Sequence, residues 1–271
     1  MLAAIAAAAF FMCFAMTIAW AIQRRTGNSG WIDTVWSFAV GAAAFFLALV
    51  PAAADNSLTN RQLLVAALVA VWAARLGGYI AFRSAGAAED PRYAWLMKEW
   101  GESASRRLFS FLQVQAVAGL LLVLSVFAAA HNPSPGLNAK DFIGVALFLL
   151  ALGGAALADD QLRRFKAERS NHGRVCDTGL WAYSRHPNYF FEWLGWVAFP
   201  IIAIAPGYAW GYTALVAPIL MYILLVHVSG IPPLEAHMMR SRGKTFADYC
   251  ARVNAFFPGP QRNAQRSPST S

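Results

Sequence analysis

Long uninterrupted apolar runs alternate along this chain with shorter polar, basic segments. Runs of the roughly 20 residues needed to cross about 30 Å of hydrocarbon fall at about 3–22, 31–50, 61–82, 107–130, 141–158, 188–205 and 209–229. None shows the period-two alternation of a membrane barrel. In lipid a segment must satisfy its own backbone polar groups, so the pattern predicts helices. The expected fold class is all-α, a polytopic integral membrane protein with seven transmembrane helices. The first run has no basic region before it and stops at Gln23-Arg24-Arg25, which reads as a span rather than a cleaved signal. Residues 1–258 are expected to form one domain, and the Pro/Ser-rich stretch 259–271 a disordered tail.

Composition agrees. Of 271 residues, 58% are hydrophobic and 13% charged, with a mean hydropathy of +0.44, against about 45–50% and about 25% in soluble domains. A water-soluble enzyme and a disulfide-stapled scaffold are excluded. Cys13, Cys176 and Cys250 are far apart and in no metal-ligand spacing, so free thiols and no metal are expected. A net charge of +8 would suggest nucleic acid in a soluble protein. Here the placement of the charges gives another reason. Nineteen of the 22 Lys and Arg residues follow spans one, three, five and seven; Arg61 and Lys140 alone sit on the opposite side, and Arg75 lies within span three. The positive-inside rule then puts the N-terminus outside and the C-terminus in the cytoplasm. No nucleic-acid partner is expected.

With charges so few, those inside spans mark candidate sites, since each costs roughly 2.5–3.5 kcal/mol to insert. Asp33 opens span two in Trp31-Ile-Asp33-Thr-Val-Trp36. Trp72, Arg75, Tyr79 and Arg83 form one helical stripe on span three. Arg75 is eight residues from Arg83, roughly 12 Å, which leaves Tyr79 near the depth of Asp33. An acid, a phenol and a guanidinium are therefore expected to converge, either as chemistry or as a structural Asp33–Arg75 pair.

The densest polar motif runs from Gly173 to Glu192 and contains Arg174, Tyr183, Arg185-His186-Pro187-Asn188-Tyr189 and Glu192. Pro187 suits a first helical position, so Arg185 and His186 are expected at a helix mouth that favours anions. Span five ends in Asp159, Asp160, Arg163 and Lys166; span seven is followed by Glu235, His237, Arg240, Arg242 and Lys244. No Rossmann glycine motif, P-loop or zinc-protease helix is present.

The Trp-Ile-Asp33-Thr-Val-Trp36 start, Arg75-Leu-Gly-Gly-Tyr79, Asp90-Pro-Arg92-Tyr93, Gly179-Leu-Trp181-Ala-Tyr183-Ser-Arg185-His186-Pro-Asn188-Tyr189 with Glu192, and Phe246-Ala-Asp-Tyr249 with Phe257-Pro258 resemble bacterial, DUF1295-type members of the steroid 5α-reductase family. The resemblance covers residues 30–258. It implies a 3-oxo-5α-steroid 4-dehydrogenase type of oxidoreductase, which uses NADPH to saturate the C4–C5 double bond of a 3-oxo-Δ4-steroid or a related enone lipid entering from the bilayer. The implied catalytic residues are Asp33 and Tyr79, with Trp36, Trp72 and Arg75 at the substrate. The implied cofactor residues are Arg83, Asp159, Arg163, Lys166, Arg174, Tyr183, Arg185, His186, Asn188, Tyr189, Glu192, Glu235, His237 and Arg240, facing the cytoplasm. The resemblance to bacterial members also implies a bacterial inner membrane location, and a monomer is expected.

Eukaryotic members carry a Gln-Glu pair where this chain has the single acid Asp33, and a tyrosine where it has Trp72. Either Asp33, if it carries a proton, or Tyr79 is then the donor to the substrate carbonyl. The Arg-His-Pro-Asn-Tyr cluster is also similar to one in isoprenylcysteine carboxyl and phospholipid methyltransferases, which bind S-adenosylmethionine. That is the alternative enzyme reading; a sterol-binding protein without activity is a third.

Overall fold

A computed structural model describes residues 1–51, 57–86 and 89–262. The described residues are helical, with no strand among them and a single isolated bridge between Ala205 and Tyr208. In chain order the α-helices are α1 (Leu2–Thr26), α2 (Gly30–Ala48), α3 (Asn60–Ser84), α4 (Pro91–Trp100), α5 (Ala104–Ala130), α6 (Ala139–Ala167), α7 (Pro187–Ala203), α8 (Val216–Tyr222), α9 (Ile231–Arg242) and α10 (Lys244–Arg252). Among the described residues, six segments are long and apolar enough to cross a membrane: Leu2–Thr26, Gly30–Ala48, Asn60–Ser84, Arg92–Ala130, Ala139–Ala167 and Ala209–Arg242. The protein is thus a multi-pass membrane protein. The expected span at 188–205 forms α7, whose 17 residues rise only about 26 Å at 1.5 Å each, so length alone does not number it with the six.

One boundary and the interior of one run differ from the hydropathy reading. The helix expected to end at 158 continues to Ala167, because Asp160 meets Arg163 and Arg164 one turn on and such pairs support a helix in water. The last run is broken: tight turns at Ala209–Leu215, then α8, then a wide-turned stretch at Ile223–Val228. It stops at Gly230, ahead of Pro232 and Pro233, which cannot donate to a preceding helical turn. Of the tail expected at 259–271, residues 263–271 lie outside the described residues. Gly259 and Arg262 donate backbone bonds to Tyr183 and Arg252.

The chain forms two compact units, Met1–Ala146 with Val197–Leu220, and Leu147–Trp196 with the residues from Met221 onward. In the first, α2 packs on α1, α3 and α5, and α1 also packs on α5. Small residues permit the approach. A side-chain carbon at Gly41 would overlap Ala73 Cβ, and one at Gly119 would overlap Met12 and Val40. Met12, Met16, Ile32, Val40, Val65, Leu108 and Leu112 fill the interior, while Phe10, Phe46 and Val114 stay exposed, as lipid-facing positions should. At one end Arg61 donates to both Asp141 oxygens, at 2.7 and 2.8 Å, and to the carbonyls of Asn132, Ser134 and Gly136. In the second unit, Trp181 Nε1 donates to the Ala158 carbonyl at 3.0 Å and Tyr249 Oη to the Trp181 carbonyl at 2.6 Å. Those bonds fasten the loop before α7 between α6 and α10.

Candidate functional site

Apart from the Arg61–Asp141 pair, each unit carries a cluster of polar side chains among its described residues. The first is set by the start of α2. Ser29 N donates to Glu89 Oε2 at 3.0 Å and Gly30 N to Asn28 Oδ1 at 2.9 Å. A carboxylate therefore sits on the positive end of the helix and fixes the first turn, which holds Asp33. Asp33 Oδ2 accepts from Arg92 Nη2 at 2.6 Å, and Oδ1 accepts from Tyr93 Oη at 3.1 Å. The guanidinium and phenol found on Asp33 thus belong to Arg92 and Tyr93, two residues outside the site expected from the sequence.

Arg92 is itself held. Its Nε and Nη2 donate to the two Asp90 oxygens at 3.0 and 2.9 Å, and its backbone N–H takes Asp90 as helix cap at 2.9 Å. Burial works to raise the Asp90 pKa, but the Arg92 hydrogen bonds and the positive charges of Arg92 and Arg83 outweigh it, leaving Asp90 below the usual carboxylate value. Tyr93 is buried, at 4% exposure, with its ring edge-on to Phe111. Gln115 Nε2 donates to its phenol oxygen at 3.2 Å, and the Gln115 carbonyl accepts from Trp36 Nε1 at 3.0 Å. On α3, Trp72 is buried, Arg75 and Tyr79 are half-buried, and the Arg83 guanidinium lies 6.0 Å from the Tyr79 ring centre.

The second cluster gathers around Glu235 on α9. Arg185 grips it with two parallel bonds, Nε–Oε1 at 2.7 Å and Nη2–Oε2 at 3.1 Å, and His186 Nε2 lies 3.0 Å from Oε1. Arg185 Nη1 donates to the carbonyls of Val253 and Cys250, and its backbone N–H to that of Asn254. Four of its five guanidinium donors therefore serve the fold, which makes Arg185 an anchor for the loop. Burial depresses the His186 pKa below its ordinary value near 6.5, and Arg185 adds to this, against the opposing pull of Glu235. The imidazole is neutral at pH 7, with its Nε2 hydrogen on the carboxylate.

From this anchored loop α7 begins at Pro187. Asn188 Nδ2 donates to Asp159 Oδ1 at 3.1 Å, and the Tyr189 ring stacks on His186 at 5.6 Å. Gly179, at φ +60°, leaves no room for a side chain beside Gln161, whose Oε1 accepts from Leu180 N at 2.9 Å. Arg163, Lys166, Arg174, Tyr183 and Arg240 are exposed, and Glu192 and His237 half-buried. Arg163 pairs with Asp160. Arg242 on α9 has a buried Nε with no acceptor among the described residues. An orphaned guanidinium N–H together with exposed cations fits a ligand rich in phosphate oxygens. No group of three or more metal-ligating side chains occurs among the described residues.

Arg92 and Tyr93 stand in the Asp90-Pro-Arg92-Tyr93 motif but were given no role at the site, because they follow span three in a polar stretch where positive charge reads as topology. A local signal beside the motif is Asp90-Pro91, a helix cap followed by a first-turn proline, which makes α4 a helix rather than a loop.

Comparison with known proteins yields a family match over residues 19–253, described as "Protein of unknown function (DUF1295)". An uncharacterized protein of the fission yeast Schizosaccharomyces pombe is 27% identical over 272 aligned positions, covering 89% of this chain and 76% of the relative. No solved structure matches.

Proposed function

The chain belongs to the DUF1295 family, and from that premise we propose that it is an NADPH-dependent reductase of the steroid 5α-reductase kind. It saturates the double bond of a 3-oxo-Δ4-steroid or a related enone lipid. The observation that carries the reading is the Asp33 cluster, in which an acid at the start of an apolar helix is engaged by a guanidinium and a buried phenol. A charge in such a place is costly, which makes it a functional-site candidate by default. A methyl transfer needs no acid or phenol there; an enone reduction does, because negative charge develops on the carbonyl oxygen.

The residues of the second unit would hold the dinucleotide. Arg174, Arg240 and Arg242 offer cations to its phosphates, and Lys166 and Arg163 extend the same charge. Asn188, Tyr189 and Glu192 would flank the nicotinamide, with Arg185, His186 and Glu235 positioning them. Bound NADPH supplies a hydride to the β-carbon of the enone. The first unit then has to hold the apolar substrate, with Trp36 and Trp72 against it, and to present a hydrogen-bond donor, from Asp33 or a neighbouring phenol such as Tyr79, to its oxygen. The reading keeps seven spans, with α7 as the sixth, the N-terminus outside, the C-terminus in the cytoplasm of a bacterial cell, and a monomer.

One observation favours a second reading. His186 and Glu235 meet at 3.0 Å, and a methyltransferase using S-adenosylmethionine would draw on the same pair. Ligand binding separates the two. Purified protein titrated with NADPH and with S-adenosylmethionine should bind the first at micromolar levels and the second at least tenfold more weakly. The reverse order supports the methyltransferase.

A further inference from the structure

We propose that Tyr93 donates the hydrogen bond that stabilises the developing oxyanion of the enone, with Asp33 as the acceptor that aims it. This rests on the reductase reading and names the donor that reading leaves open. Both Asp33 oxygens already accept hydrogen bonds, Oδ2 from Arg92 at 2.6 Å and Oδ1 from Tyr93 at 3.1 Å. The first is at the short end for a charge-assisted bond, and Asp90 locks Arg92 in place from the other side. Asp33 is thus an acceptor, fixed by an ion pair, and the group facing it is the donor.

Tyr93 has the features of an oxyanion donor. Its oxygen receives a hydrogen bond from Gln115 Nε2 at 3.2 Å, so its own proton points at Asp33. That contact, at 3.1 Å, is well beyond the roughly 2.5–2.7 Å usual for a hydroxyl on a carboxylate. The proton is loosely held. Turning it to a carbonyl oxygen costs Asp33 little, because Asp33 keeps Arg92. The Gln115 bond polarises the phenol in the direction that strengthens its donation. Packing against Phe111 and the Arg92 guanidinium, 5.7 Å from the ring centre, fixes the ring, so the dipole is set before substrate arrives.

The balance of the step is simple. A hydride adds to the β-carbon, the π electrons of the double bond move toward the oxygen, and an enolate forms. Tyr93 keeps its proton and shares it with the oxygen. Water then protonates the α-carbon, so one NADPH and one proton are consumed for each saturated ketone and NADP⁺ formed.

The test uses two readouts on the full chain in detergent micelles. The first is kcat for enone-dependent NADPH oxidation; the second is the affinity for a naphthol, whose oxyanion mimics the enolate and whose fluorescence reports the bound anion. Tyr93→Phe should lower kcat about a hundredfold, the usual loss for one oxyanion donor, with KM changed less than threefold, and should weaken naphthol binding about tenfold. Gln115→Leu, which leaves the phenol in place, should lower kcat five- to tenfold with KM unchanged. It guards against a Tyr93→Phe protein that fails to fold. Wild-type kcat and naphthol affinity in Tyr93→Phe would overturn the assignment, as would a hundredfold loss confined to Tyr79→Phe. If the wild type reduces no enone yet loses naphthol affinity on Tyr93→Phe, the reductase reading falls while Tyr93 stands as the oxyanion donor.

Discussion

Arg61 and Asp141 form a buried pair in which all five guanidinium N–H groups reach protein oxygens, two of them on the carboxylate. The pair is almost without exposure, 3% for Arg61 and none for Asp141. This accounts for one of the two basic residues on the side where the charge pattern has few. Arg61 is there to tie the turn at 132–136 to the start of α6.

Removing one partner leaves an uncompensated buried charge. Arg61→Ala should therefore destabilise the protein by about 3–5 kcal/mol, read as a large drop in the thermal midpoint in detergent. Arg61→Lys should recover less than half of this, since an ammonium has three donors and no planar fork. A Lys variant as stable as wild type would contradict the five-donor account.

His186 carries a pH dependence whose sign follows from its burial. Its folded pKa lies below the ordinary value near 6.5, so the unfolded chain takes up a proton that the folded protein resists. Stability is full above about pH 6.5 and declines as pH falls toward the depressed folded pKa. His186→Gln should flatten thermal midpoints over that interval. A midpoint that rises on mild acidification would refute a neutral buried imidazole.

For the dinucleotide, the cationic residues of the second unit give a salt-dependent prediction. Arg240→Ala and Arg242→Ala should each weaken NADPH binding about tenfold, near the 1.4 kcal/mol expected for one charge-assisted hydrogen bond. Both effects should shrink as ionic strength rises for the exposed Arg240, and less for Arg242, whose Nε is buried. Calorimetric titration at two salt concentrations measures this.

Asn188 tests the mouth of α7. Asn188→Ala removes the bond to Asp159 and should weaken NADPH binding about tenfold while shifting the thermal midpoint little, since the helix start stays anchored by Arg185 and Glu235. Unchanged affinity would place the nicotinamide elsewhere.

The helical membrane class was legible because hydropathy period and length are set by the bilayer itself, and α1, α2 and α3 lie close to where the runs put them. The interior of the last run was not: its length and its end near 229 match the hydropathy, while the turn type changes around 215 and 222 within it. In the site, Asp33 was legible as a charge in an apolar helix, and the Asp159–Asn188 and His186–Glu235 contacts bring together residues expected at one site. Tyr93 was not. Its contact to Asp33 spans 60 positions and depends on α4 turning back, information that no local pattern holds. Arg185 shows the converse limit. Its motif reads as a phosphate cradle, while most of its donors face Glu235 and the backbone.

The central claim is tested most directly by incubating purified protein with NADPH and a panel of Δ4-3-ketosteroids and related enones, following dihydronicotinamide absorbance and the mass of the lipid product. The account predicts absorbance loss that depends on one of these enones, with a product heavier by two hydrogens formed in equal amount. Binding of NADPH without enone-dependent oxidation, or a product heavier by a methyl group when S-adenosylmethionine is supplied, would contradict it.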